Sequence, residues 1–528
     1  MTPTRSRTWL TLAAVALALT CAGWAELHFQ CDDAFIAFRY ARNAVNGWGP
    51  TWNPPPFAPV EGYTSALWVA LLATASLAGV PQPLAAEALS LGAGLATSLL
   101  AVTWLRREEP SGSVSHVTLS GVALAGVVTN RTFLTWTSSG LETSLFNLLV
   151  VCWLYLGTDR RFRASALALT AALLALTRPD GLLYCAATVP ILLGRQRPAA
   201  AVRSAAPLLL AAAHLAWRRY TYGAWLPNTY YAKVSDAWPE AGLRYLGSYL
   251  LEHGIWLAIP VLLAAFITSG MARRLASADL ARLGLPAAAL LAHVGYYIFR
   301  VGGDHFEFRV LSHTVVPTFV TLAWATNRLA GRKAPLLLLA IVVASWPLAW
   351  THHLLGRDLQ TRAETEALYL PVAPHLPPPL SSLAAVNDEL QSWLITRYIG
   401  RRHREHVVFR AHLEQSLAQP EELVRLDWSA NRPIAAARSV GVVGWRFHEA
   451  AIIDELGLND PVIARGPLRH ADGSIRRMAH ERRPPEGYLA CFRENLTRDG
   501  RGLLVDPSVP PMSDAEIRSC QARFQSPD

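Results

Sequence analysis

Long apolar runs alternate with short polar stretches through the first two thirds of the chain. They lie near residues 8–25, 64–80, 84–105, 117–136, 141–158, 165–178, 181–194, 204–220, 247–268, 284–300, 310–327 and 335–351. A bilayer crossing takes roughly 20 apolar residues, and backbone groups inside the hydrocarbon must bond within their own segment. Each run therefore predicts a helix, with 165–178 and 181–194 the shortest. Beyond residue 351 the runs stop and charge and proline rise. That change marks a multi-pass unit, 1–351, followed by a soluble unit, 352–528. Within the latter, "RSVGVVGW" (438–445) reads as a buried strand and "HEAAIIDELGL" (448–458) as a strand or short helix ending at Gly457; a small α+β domain follows. His352, His353 and "RRHREH" (401–406) read as surface residues.

The polar stretches between the runs are of two kinds. Arg106/Arg107, Arg160/Arg161/Arg163, Arg195/Arg197/Arg203, Arg273/Arg274/Arg282 and Arg328/Arg332/Lys333 form basic clusters, and basic loops are held in the cytoplasm. The intervening loops, at 26–63, 136–143, 177–181, 222–238 and 299–309, carry acids, amides and cations. Alternation gathers them on the opposite, outer face. One count does not close: two runs, 64–80 and 84–105, separate the first outer loop from Arg106/Arg107, where an odd number of crossings is needed. One of the two therefore re-enters or lies in the interface. About eleven transmembrane helices are left, with the N-terminus inside and the tail outside.

Composition agrees. Of 528 residues 52% are hydrophobic and 16% charged, a balance that excludes an ordinary soluble protein. The net charge of +9 comes with the basic loops, so topology accounts for it and no nucleic-acid partner is expected. Six scattered cysteines lack C-x-x-C spacing, which excludes a cysteine metal site. Cys491 and Cys520 share the tail, and a disulfide between them is open if the tail is extracytoplasmic. Arg5 and Arg7 before the first run also suit a signal peptide; with so many runs following, an uncleaved first helix is the better reading.

Candidate chemistry starts at "CDDAFIAFRYARN" (31–43). From the residues alone, Asp32 and Asp33 can be solvated, cap the following helix, pair with Arg39, or act as a general base. The stretch 46–68 is rich in Gly, Pro, Trp and Tyr, suited to an ordered loop with aromatic platforms for a sugar. Glu61 suits a helix N-terminus equally well. Arg178 and Asp180 form either a local ion pair or part of a site; Glu142 either caps a helix or touches substrate. Tyr230 and Tyr231 serve as interface anchors or sugar platforms.

"DDAFIAFRYARNAVNGWGPTWN…VEGYTSALW" resembles the first extracytoplasmic loop of GT-C membrane glycosyltransferases. The closest likeness is to the group that includes the mycobacterial terminal arabinofuranosyltransferase and relatives labelled as flagellar-motor-control proteins. It continues in order through "WTSSGLETSLF" (136–146), "TRPDG" (177–181), "LPNTYYAK" (226–233), "VGGDHFEFR" (301–309), "IIDELGLNDPVIAR" (452–465) and "HERRPPEGY" (480–488). The resemblance implies a GT-C fold in a bacterial inner (plasma) membrane, with the active site and tail on the periplasmic or extracellular side. It implies an inverting transferase that moves a sugar, arabinofuranose in the nearest group, from a polyprenyl-phosphate donor to an envelope glycan or glycolipid. The proposed base of such families maps onto Asp32 or Asp33, with Asp32 preferred. Arg309 and Lys233, with Arg39 and Arg178, are the expected phosphate partners. Glu61, Tyr63, Trp136, Glu142, Asp180, Asn228, Tyr231, Asp304, His305 and His480 are the expected substrate contacts. A divalent cation (Mg, Mn or Ca) at Asp32 is compatible with the resemblance, though no ligand spacing demands one.

Two other readings stay in view. A transporter places ionisable groups near the midplane and often repeats its halves; the apolar runs are nearly free of charge and no repeat is visible. A catalytically idle assembly or motor-associated factor would have lost the acids, yet Asp32, Asp33 and Glu61 are present.

Overall fold

The computed structural model describes residues 3–108, 114–270, 280–366, 369–417, 427–499 and 502–524; Arg273 and Arg274 lie outside them. The first apolar run forms helix α1, Pro3–Leu27, about 37 Å long at 1.5 Å per residue, more than the hydrocarbon thickness. Among the described residues, four helical stretches are long and apolar enough to cross a membrane: Arg7–Leu27, Gln82–Arg107, Leu280–Val301 and Arg309–Gly356. Two bent pairs raise the number to six. One joins Pro198–Ser204 to Ala206–Tyr222 at 42°, the other Pro239–Glu252 to Ile255–Ser269 at 86°. The sharper bend contains Gly254 at φ +61°, where a Cβ would meet the Ala344 carbonyl oxygen at 2.9 Å. Glycine permits both the left-handed backbone and the close approach. Shorter apolar helices, among them Thr143–Thr158 and Ala164–Thr177, fill the bundle.

After α1 come α2 (Asp32–Val45), α3 (Ala66–Leu77) and α4 (Gln82–Arg107). The miscounted crossing is explained by α3. Gln30, just past α1, donates to the Pro83 carbonyl at 2.8 Å, so α4 starts on the side where α1 ends. Its other end, Arg107, donates to the carbonyl of Tyr155 at 2.7 Å and to Thr158. The start of α3 lies on the Gln30 side too, with Trp68 donating to the Gly140 carbonyl at 3.1 Å. Its end is tied to Gln82 through Ser76 at 2.9 Å. Both ends of α3 thus share one face, and its 12 residues do not traverse the bundle.

An apolar core around Trp104, Phe133, Phe146, Trp153 and Phe319 holds the helices together. A second core mixes Phe35, Phe38, Tyr40, Trp52, Trp68 and Trp136 with Val440, Phe447 and Ile452 from the tail. The tail is thereby welded to the first loop by shared apolar burial. Its strands are few: β1 (Ile434–Ala437) pairs in parallel with β2 (Ala451–Asp454), and β3 (Leu496–Asp499) antiparallel with β4 (Gly502–Val505). Residues 438–445 do not form the expected strand, because Gly441–Arg446 is a helix packed on α2. The 448–458 segment supplies β2 and turns at Gly457, φ +80°. A disulfide joins Cys491 to Cys520, Cα atoms 5.8 Å apart.

The polar run at 401–406 was expected at the surface and is not there. Arg401, Arg402, His403, Glu405 and His406 are buried, as are His352 and His353. The reason is a charged lock: Arg131 pairs with Glu307 and Glu252, and Arg402 pairs with the same two glutamates. Two cations meet two anions, so the charge is balanced where water is absent.

Candidate active site

Five of the loops between helices converge on one cavity of about 190 Å³. Asp33, Gly62 and Tyr63 enter it from the first loop; Leu141 and Glu142 from the second; Arg178 and Asp180 from the third. Thr229, Tyr230 and Lys233 come from the fourth, and Asp304, His305 and Arg309 from the fifth. The tail adds Leu458, Met478 and Ala479. The loops that hydropathy placed on one face thus form one site.

Asp32 and Asp33 open α2, where a carboxylate is favoured by the helix dipole. Successive residues on a helix are rotated by about 100°, so the two acids face different ways. Asp33 opens to the cavity, and Lys233 Nζ lies 3.8 Å from its Oδ2. That pair is partly open, with side chains 30% and 33% exposed. Asp32 turns to the tail: Oδ1 accepts the Val442 N–H at 2.7 Å and Oδ2 the Gly441 N–H at 3.4 Å. Burial pushes its carboxyl up to about 7 against the lowering effect of the Val442 amide. The expectation that Asp32 faces the site is corrected: its carboxylate turns to the tail, and Asp33 is the one of the two that lines the cavity. Asp32 is equally unsuited to a divalent cation, since both its oxygens are directed at backbone amides. Among the described residues no three His, Cys, Asp or Glu side chains converge as a metal site.

The cations divide in the same way. Arg309 is held by Asp304 at 2.7 and 3.2 Å and stacks over Phe306. Arg178 reaches Glu142 at 2.8 Å, Asp180 at 3.2 Å and the Tyr297 hydroxyl at 2.6 Å. Asp180, although buried, is kept well below the usual carboxylate range by Arg178 and His293. Lys233 is the cation with the loosest partner. Arg39 is not at the cavity: it donates to the carbonyls of Trp52, Gly444, Phe447 and Ala450, stitching the first loop to the tail, and is withdrawn as a phosphate partner.

Of the other expected contacts, Tyr63, Glu142, Asp180, Asp304 and His305 line the cavity. His480 stands behind His305, ring centroids 5.7 Å apart. Burial lowers both imidazoles, His480 to about 4, so they are neutral near pH 7. Four expected contacts are displaced. Glu61 is buried against Arg218 at 2.5 and 3.1 Å; Trp136 is buried and donates to the Glu307 carbonyl at 2.9 Å. The Asn228 amide binds the carbonyls of Gly457, Leu458 and Asp460, and the Tyr231 ring lies under Arg465. Each serves a structural contact because its loop folds back on the tail or bundle. Tyr296, Tyr297 and the tail residues Met478 and Ala479 line the site but were missed. The tyrosines end an apolar run, and only their register just before "VGGDH" could have flagged them.

No protein-family model matches the chain, and no curated protein matches it either. A solved structure does: ArnT from Cupriavidus metallidurans, a GT-C glycosyltransferase determined with undecaprenyl phosphate bound. It superimposes with a TM-score of 0.52 over 86% of this chain and 87% of that one, at 14% sequence identity. The chain thus has the GT-C membrane fold.

Proposed function

We propose that the protein is a membrane glycosyltransferase whose outer cavity takes a sugar from a polyprenyl-phosphate donor. The observation that carries this reading is the pairing of Asp33 with Lys233 inside a cavity that also holds Arg309 and Arg178. The ArnT structure, determined with undecaprenyl phosphate, supports the carrier class. About eleven crossings, an inner-membrane setting with the cavity outside, arabinofuranose as the sugar and an envelope glycan as acceptor belong to the same reading.

The chemistry follows from the groups present. The cavity holds four carboxylates, Asp33, Glu142, Asp180 and Asp304, against three cations, Arg178, Lys233 and Arg309. A phosphate entering it must take a cation from an acid. Lys233 is the one to give, at 3.8 Å from Asp33, whereas Arg178 and Arg309 hold their carboxylates at hydrogen-bond distance. When the donor phosphate engages Lys233 and Arg309, Asp33 loses its counter-ion and becomes available to the acceptor hydroxyl. The acceptor oxygen bonds to the anomeric carbon as the bond to the phosphate oxygen breaks; the proton passes to Asp33 and the charge of the departing lipid phosphate rests on Lys233 and Arg309. Attack opposite the leaving group inverts the anomeric centre.

Asp33→Asn should reduce transfer from a polyprenyl-phosphate sugar by roughly 100- to 10,000-fold, measured on purified protein that still binds the donor. Undiminished transfer would remove Asp33 from the mechanism.

A further inference from the structure

The tail is a wall of the cavity, not an appendage to it. Leu458, Met478 and Ala479 line the site, so the cavity is incomplete without residues more than 400 positions from Asp33. Besides Asn228, which binds the carbonyls of Gly457, Leu458 and Asp460, two side chains of α2 fix the tail there. Asp32 accepts the two N–H groups at the start of the helix Gly441–Arg446, while Arg39, seven residues on, donates to the carbonyls of Gly444, Phe447 and Ala450 at and beyond its end. A hydrogen-bond acceptor at the amide end and a cation donor at the carbonyl end match the unpaired backbone groups of that helix. The approach is close: a Cβ on Gly441 would fall 1.8 Å from the Asp32 carbonyl oxygen.

We propose that Asp32 and Arg39 form a two-point latch that docks the tail over the cavity, and that Asp32 is a positioning residue whose neighbour Asp33 does the chemistry. The hydrogen-bonding side of Asp32 is spent on Gly441 and Val442. Because Asp32 and Asp33 are consecutive on one helix turn, fixing the first also fixes the direction in which the second enters the cavity. Its activity arm rests on the glycosyl-transfer reading above; its docking arm does not.

The conservative variant separates positioning from proton transfer. Asparagine keeps a carbonyl oxygen that accepts the Val442 N–H but is no base, whereas alanine has neither property. In the full-length protein, Asp32→Asn should retain transfer within a few-fold of the parent, while Asp32→Ala should lower kcat roughly tenfold or more through misplacement of Asp33. Hydrogen exchange at Val442 should be near the parent's in Asp32→Asn, whose one amide oxygen keeps that bond, and roughly 10- to 100-fold faster in Asp32→Ala. If Asp32→Ala does not fold, Val442→Pro removes the same hydrogen bond from the tail side and should lower kcat likewise. Asp32→Asn as inactive as Asp33→Asn would make Asp32 the base and overturn the proposal. Unchanged exchange at Gly441 and Val442 in Asp32→Ala, or unchanged kcat in Val442→Pro, would overturn the latch. A parent without transferase activity would fail the functional reading alone, since exchange would still decide the latch.

Discussion

Two regions rich in arginine and glutamate or aspartate lie two residues apart in sequence and behave in opposite ways. Glu307 belongs to the lock, where Arg131 and Arg402 each contact both Glu252 and Glu307 and every side chain is at most 8% exposed. Arg309 belongs to the cavity. Between them Phe308 takes φ +44°, a left-handed turn that costs a bulky residue energy and sends its neighbours to opposite sides. The lock is a square of charges in which each arginine contacts both glutamates, beside a cavity of only about 30 Å³. In the cavity a cation and an acid stand apart at 3.8 Å, and the wall is completed by a second part of the chain. The difference teaches that burial and charge do not mark a site; an incompletely satisfied pair facing a void does.

Breaking the lock should have the largest effect on folding. Glu307→Gln leaves two arginines sharing one carboxylate in the interior, and removing a partner from a buried ion pair costs about 3–5 kcal/mol. Thermal or denaturant unfolding in detergent should register that loss, and a change under 1 kcal/mol would mean the square is not closed in solution. Arg309→Ala should instead weaken use of the polyprenyl-phosphate donor by roughly 100-fold with little change in acceptor KM; the reverse pattern would place Arg309 on the acceptor side. Lys233→Ala should weaken donor use less, roughly tenfold, because its ammonium is partly solvated and its attraction for the phosphate is screened.

Acid sharpens the contrast. Burial lowers His403 and His406, packed against the lock, to about 3. The unfolded chain then binds more protons than the folded one between about pH 3 and 6.5. Stability contributed by these rings is present above pH 6.5 and lost as pH falls, at about 1.4 kcal/mol per imidazole per pH unit. Asp32 slopes the other way, because its carboxyl is raised to about 7 from an ordinary 3.8. Its contribution is present at low pH and lost as pH rises from about 4 to about 7. Asp32→Asn should remove that second slope from the unfolding profile and leave the first; a profile unchanged in both limbs would refute the assignment.

Hydropathy and loop charge disclosed the convergence of five loops, since alternation across a bilayer needs no side-chain detail. They also exposed the extra run that proved to be α3. The direction of individual side chains was beyond them. Adjacent acids look equivalent in a string of letters, and only the rotation between neighbours on α2, together with a partner helix 409 residues away, tells Asp32 from Asp33. Arg39 and Asn228 misled for the same reason: their polar ends match phosphate or sugar, and also the bare carbonyls of a docked tail. Polarity at 401–406 signified a surface because Glu252, a partner of Arg402, sits in an apolar run whose isolated charge was passed over.

The most direct test is equilibrium binding of a polyprenyl phosphate to the full-length protein in nanodiscs, comparing the parent with Lys233→Ala/Arg309→Ala. Saturable binding by the parent and a loss of roughly 100-fold or more in the double variant, with its melting temperature preserved, is the predicted result. Equal affinity in the two proteins would contradict the account, because the carrier phosphate would then lie somewhere other than the Asp33 cavity.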